Sequence, residues 1–244
     1  MQDGDACLGI YFTRCGQMLL ANSLLKINFP SFEVSHLQSY SDEEKDYYQR
    51  ILLSFNDISV DSSFGIQNIA IEAIKIGILP GAWFGPSVIS GVLRNLNAKF
   101  KPFKDVEIFS FNQGVLELYQ LDAYFSVSPK AHAIVLLSVR LGIAKILNMY
   151  LEQIKSVMAI PYCTGFIGGE ENKALYFIGY QDNSFIFLDP HYPQRAFAPS
   201  EFIDNYSTYH CIISKTMACT KLNASLAFGM MLNRLLSEEC GRLQ

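Results

Sequence analysis

The stretch "ALYFIGYQDNSFIFLDPH", residues 174–191, decides the fold class. Two apolar, aromatic-rich runs flank "QDN", and Asp182 and Asn183 are residue types that accept positive φ in a tight turn. The segment therefore reads as a β-hairpin, an antiparallel pair. Upstream, the patterns are largely helical. "GQMLLANSLLKI" (16–27) predicts a buried helix with Met18, Ala21 and Leu25 on one stripe, and "SYSDEEKDYYQR" (39–50) a charged surface segment that opens another. "GIQNIAIEAIKIG" sets Ile66, Ile69, Ala70 and Ala73 at helical spacing, with Gly77 as C-cap. "GPSVISGVLRNL" offers Pro86 at a first helical position above an apolar face of Ile89, Val92, Leu93 and Leu96. Runs 106–111 and 133–139 read as core strands, and 146–158 as an amphipathic helix with Leu147, Leu151, Ile154 and Met158 in register. Helices come first and the clearest hairpin late, so the class is α+β, with helices packed on an antiparallel sheet.

The hairpin ends in Asp189, Pro190 and His191. In an extended chain, residues two apart project to the same side, so Asp189 and His191 can face one cleft. Pro190 lacks an N–H donor and suits a strand end. A carboxylate beside an imidazole fixes its tautomer and stabilises its charged form, which a general base requires; the plainer reading is a turn in which Asp189 caps local N–H groups. Just before the hairpin, "PYCTGFIGGEEN" (161–172) reads as a glycine-rich loop, where Gly165, Gly168 and Gly169 permit close backbone approach. The only tryptophan, Trp83, stands in "GAWFGPS" (81–87), as a core anchor or as a lid over a cleft.

With 244 residues, half of them apolar, and a net charge of −4, the chain suits one globular domain spanning 1–244. The mild acidity and the lack of a Lys/Arg cluster argue against nucleic acid or a strongly anionic membrane as partner. The six cysteines form no C-x-x-C pair, and no metal or disulfide framework is expected. No uncharged apolar run approaches the roughly 18–20 residues that span a bilayer, and "MQDGDACLG" lacks an apolar signal core. The expectation is a soluble, cytoplasmic protein with free thiols. His36 and His132 read as structural, and His210 beside Cys211 as a poor metal pair, since adjacent residues of an extended segment point to opposite sides.

Taken together, these segments resemble the autophagins, cysteine peptidases of autophagy that act on a ubiquitin-like modifier. The matching stretches are "RCGQMLLA" (14–21), "FGIQNIA" (64–70), "GAWFGPSVISGVLRNL" (81–96), "IVLLSVRLGI" (134–143), "IPYCTGFIGGEENKALYFIGYQDNSFIFLDPHYPQ" (160–194), "YHC" (209–211) and "LNASLAFGMML" (222–232). The resemblance implies a papain-like fold and a Cys–His–Asp triad, with Asp189 orienting His191 and the cysteine opening a central helix. It further implies that Trp83 covers the substrate cleft and that the loop at 160–165, with Pro161 and Gly165, shifts to admit the substrate tail. Implied too are cleavage after a glycine near the modifier's C-terminus, removal of phosphatidylethanolamine from the conjugated form with transient membrane-surface contact, and no cofactor.

The nucleophile departs from the family's pattern, which reads Gly-Trp-Gly-Cys, two residues, then Arg. Counting back from Arg14 without gaps puts Tyr11 at the cysteine position, and a phenol cannot replace a thiolate in peptide cleavage. Cys7, in "GDACL", reaches the position with four extra residues, about one helical turn. Cys15 lies one turn deeper than Tyr11 and reads as core. The expected triad is thus Cys7, His191 and Asp189. The open alternative is an inactive homologue that holds the modifier without cutting it. The chain also starts only six residues before Cys7, where the family has a longer segment bearing a tyrosine thought to help hold the oxyanion.

Overall fold

The computed structural model describes residues 13–29, 37, 39–57, 60–79, 82, 84–170, 173–192, 195, 197–202, 204–211 and 213–234. Among these, six α-helices and seven strands form a sheet with helices on both faces. The helices are α1 (Thr13–Asn28), α2 (Asp42–Ser54), α3 (Ile66–Lys75), α4 (Pro86–Phe100), α5 (Leu118–Val127) and α6 (Leu151–Met158). The strands are β1 (Val106–Phe111), β2 (His132–Lys145), β3 (Cys163–Glu170), β4 (Lys173–Gln181), β5 (Ser184–Leu188), β6 (Lys215–Ala218) and β7 (Asn223–Asn233). Their order across the sheet is β1-β2-β7-β3-β4-β5-β6.

The α+β class holds, with one difference in the sheet. Five pairings are antiparallel, but β1 runs parallel to β2, because the connection between them is a crossover carrying α5. The hairpin forms as read: Tyr176 faces Leu188, Gln181 faces Ser184, and Asp182 takes φ 51° in the turn.

Period-two alternation divides the core into two layers. Ile134 and Leu136 of β2, Tyr176 of β4 and Ala227 of β7 pack beneath α1–α4. Val135 and Leu137 of β2, Phe166 of β3, Phe177 of β4 and Phe228 of β7 pack on the other face with Leu121 and Phe125 of α5 and Ile154 of α6. Strands buried on both faces read as near-continuous apolar runs, as 133–137 does.

Helix α1 is the central one. Its large buried apolar positions are Cys15, Leu19, Leu20 and Leu24, whereas Met18, Ala21 and Leu25 are only partly buried, so the expected stripe faces sideways. The shift has a packing cause: α1 lies on β3, β4 and β7 and is also flanked by α2 and α4. At Gly16 a Cβ would stand 2.5 Å from Ile89 Cγ1, so that glycine sets how closely α1 and α4 approach. Helix α2 opens with a capping box, Ser41 Oγ accepting from the Glu44 amide and Glu44 Oε2 from the Ser41 amide. Its charges point outward, but Tyr47, Tyr48 and Ile51 are core, which corrects the purely surface reading. Helix α4 begins at Pro86 with all four expected apolar residues buried. Helix α6 is shorter than read: only Ile154 is buried, and Leu147 is exposed ahead of it.

The largest correction concerns 161–172. Residues 163–170 are not a loop but strand β3, buried along nearly its whole length between β7 and β4. Its glycines admit neighbouring strands: a Cβ on Gly169 would meet Lys173 O at 1.9 Å, and one on Gly168 would meet Leu226 Cδ2 at 2.7 Å. No helix among the described residues is long and apolar enough to cross a membrane.

Candidate active site

Strand β5 holds its C-terminal end through its flanking aromatics. Phe185 and Phe187 pack against Phe177, each with ring centroids 5.9 Å away, and Phe177 stacks on Phe166 at 4.6 Å. Asp189 and His191 follow directly, so their placement inherits the rigidity of this aromatic layer. His191 Nδ1 lies 2.6 Å from Asp189 Oδ1, and the same oxygen accepts the His191 backbone N–H at 3.2 Å. An ionised carboxylate only accepts, so Nδ1 carries the proton and Nε2 is left as the basic nitrogen. The Asp189 side chain is 7% exposed and that of His191 29%, which keeps the carboxylate shielded and the ring accessible.

Lys173 completes the cluster. The β4–β5 register, with Tyr176 opposite Leu188, brings the first residue of β4 alongside the Asp-Pro-His segment, and Lys173 Nζ sits 3.1 Å from Asp189 Oδ2. Burial alone would raise the Asp189 pKa. The hydrogen bonds from His191 and the Lys173 ammonium outweigh it and hold the carboxyl below its ordinary 3.8. Lys173 was not foreseen from the sequence, though the hairpin register, once assigned, would have placed it there.

A cleft of about 330 Å³ joins this segment to the start of α1, lined on one side by Pro190 and Tyr192 and on the other by Arg14, Gln17 and Met18. Arg14 Nη1 is 2.5 Å from Asp57 Oδ2 and 3.1 Å from Gln17 Oε1, while Gln17 Nε2 donates to the Phe64 carbonyl at 2.7 Å. Asp57 Oδ1 in turn accepts the first amide of α3, from Ile66, at 2.9 Å. This network ties the first turn of the central helix to α3 and fixes one wall of the cleft.

Cys7, Tyr11 and Trp83 lie outside the described residues, as does His36. Cys15 is fully buried in the core, as read. Burial pushes its thiol well above 9.0, and the Asp189 carboxylate adds to the rise, so Cys15 is held as a neutral thiol. Cys163 is likewise raised by burial, offset in part by the Gly165 amide and Lys26. Pro161 is exposed in the turn before β3, and its carbonyl accepts Lys26 Nζ at 2.7 Å. Lys26 and Arg14 are twelve residues apart on α1, roughly 18 Å along its axis. Pro161 therefore belongs to the far end of α1 from the Asp189–His191 cleft. Gly165 is buried inside β3 with φ +103° at a bulge against β7. His132 begins β2, and burial lowers its pKa. His210 Nε2 is 2.8 Å from the buried Tyr48 hydroxyl, with the two rings stacked at 15°, a structural pairing.

An α+β sheet of this order, with a central helix whose first turn meets a carboxylate–imidazole pair at a strand end, defines the papain-like class. The chain belongs to the peptidase C54 family: the pattern of the "Peptidase C54 catalytic domain" matches residues 5–237. It is 29% identical over 201 residues to the protein named "Cysteine protease ATG4C" of Homo sapiens, covering 78% of this chain and 44% of that protein. The Mus musculus protein of the same name is 31% identical over 192 residues, covering 75% and 42%. "Probable cysteine protease ATG4" of Eremothecium gossypii is 29% identical over 224 residues, covering 90% and 42%. The chain thus spans less than half the length of these curated relatives.

Proposed function

We propose that the chain, as a single domain over 1–244, is a thiol endopeptidase that cleaves after a C-terminal glycine of a ubiquitin-like autophagy modifier and removes phosphatidylethanolamine from the conjugated form. The observation that carries this reading is the 2.6 Å contact between Asp189 and His191 Nδ1 at the mouth of the cleft opened by α1. Asp189 orients the ring, and Nε2 takes the proton of the Cys7 thiol and passes it to the leaving amine as the acyl-enzyme forms; water then releases the acid. The peptide bond and the bond to the ethanolamine nitrogen are both amides, so one site serves both reactions. Trp83 covers the tail of the bound modifier. The protein works in the reducing cytoplasm, meeting membrane surfaces only through its lipid-conjugated substrate.

The second reading, an inactive homologue that binds the modifier, is favoured by Tyr11 in the gapless register with Arg14. Cleavage of a modifier carrying a C-terminal extension, under reducing conditions, separates the two. Activity lost in Cys7→Ser and His191→Ala but kept in Cys15→Ser supports the peptidase with a displaced nucleophile. Binding without cleavage by the unaltered chain supports the inactive homologue.

A further inference from the structure

We propose that a second cavity, between the start of α4 and the β2–β7 pair, binds the phosphate group of a small phosphate ester. The cavity measures about 760 Å³. The sheet register separates it from the Asp189–His191 pair: Leu188, next to Asp189, faces Tyr176, which faces Ile167, then Ala227, then Ser138. Four strand spacings put Ser138 about 19 Å from that row's end, so the two are separate places on one face of the sheet.

Three features of the lining select an anion. First, α4 is a 15-residue helix whose N-cap is Gly85 with Pro86 next, and no side chain caps it, so its positive end opens into the cavity. Second, Ser138 is only 6% exposed, yet its hydroxyl has no hydrogen-bond partner. It alternates with Leu137 and so shares the α4 side of β2 with Leu136, which aims the hydroxyl into the cavity beneath the helix start. Leaving a buried hydroxyl unpaired is unfavourable, so a ligand oxygen there meets a donor or acceptor already desolvated. Third, among the described residues of the lining Arg140 is the only charged one. Its guanidinium is steadied by the carbonyls of Gly142, at 3.2 Å from Nε, and Ile143, at 2.7 Å from Nη2, which leaves Nη1 for a ligand.

The amide side chains of Asn112 and Asn223 and the hydroxyls of Ser87 and Ser225 surround the same space. Donors converging from a helix end, the interior of β2 and the ends of β1 and β7 match the tetrahedral oxygens of phosphate better than a planar carboxylate, which a single fork satisfies. The volume is that of a small-molecule site and exceeds a bare ion, so the phosphate arrives on a larger organic group.

The test is calorimetric titration of the 244-residue chain at constant ionic strength, with inorganic phosphate, glycerol 3-phosphate and glycerophosphoethanolamine as probes. Saturable binding of at least one ester, tighter than inorganic phosphate, is expected. Arg140→Gln should weaken it about tenfold or more and Arg140→Lys less, while Ser138→Ala should weaken it about fivefold. Circular dichroism and melting of each variant confirm that it remains folded. A preference for the diester identifies a lipid headgroup as the source and a preference for the monoester a free metabolite. No saturable binding of any probe, or equal binding by folded Arg140→Gln, overturns the proposal.

Discussion

Gly165 stands where the resemblance implies substrate contact and where the structure shows crowding, and replacing it by alanine separates the two roles. A Cβ at this position would lie 2.2 Å from the carbonyl oxygen of Phe177 on β4, well under the 3.0 Å that real Cβ contacts observe. The strands must therefore part by at least 0.8 Å, the difference of those two distances, beside the Phe166–Phe177 pair. Overpacking of this kind costs about 1–3 kcal/mol. The φ of +103° adds strain for a side chain, again about 1–3 kcal/mol. A total near 4 kcal/mol corresponds to a fall in Tm of roughly 8–16 °C for a domain of this size. Thermal unfolding followed by circular dichroism measures it. Gly91→Ala is the matched control: nothing lies within 4 Å of its Cβ inside α4, so it should gain about 0.5–1 kcal/mol. A Gly165→Ala protein that melts within 2 °C of the parent, by a margin of about 0.5 kcal/mol, would refute the reasoning and return Gly165 to a purely substrate-facing role.

The other predictions concern protonation and buried pairs. Burial lowers the pKa of His210 from 6.5 to about 4, so the unfolded chain takes up a proton that the folded one refuses; stability is full above pH 6.5 and declines as pH falls towards 4. His210→Gln should flatten that window in urea midpoints measured across pH. Asp189 is held below 3.8, so its contribution is present above that value and disappears as pH drops through the lower folded one. Lys173→Met removes one source of the depression and should move the acid limb of unfolding to higher pH. The buried hydroxyls of Ser23 and Thr164 pair at 2.8 Å between α1 and β3. Ser23→Ala should cost about 1–2 kcal/mol by stranding its partner, and Thr164→Val added to it should cost less than the two single changes together, checked by a double-mutant cycle in denaturant.

What the sequence disclosed depended on how local the cause was. The β4–β5 hairpin, the Pro86 helix start and the shared side of Asp189 and His191 follow from neighbours two to four residues apart, and all three stand in the structure. Lys173 beside Asp189 requires the strand register, and Arg14 beside Asp57 spans 43 residues of chain, so neither could be read from spacing. Strand β7, central to the sheet between β2 and β3, is buried on both faces and shows no alternation that would announce it. Strand β3 failed differently. Glycine permits a bend towards solvent and equally the approach of another backbone, and composition does not distinguish them. At Gly165 and Gly169 the crowding atoms are carbonyls of β4, and at Gly229 they are Leu19 of α1 and Thr164 of β3. These glycines let the central helix and the hairpin close on the middle of the sheet. That closeness brings the first turn of α1 to the Asp189–His191 pair, so the residues that looked like a flexible gate are part of what holds the candidate site in place.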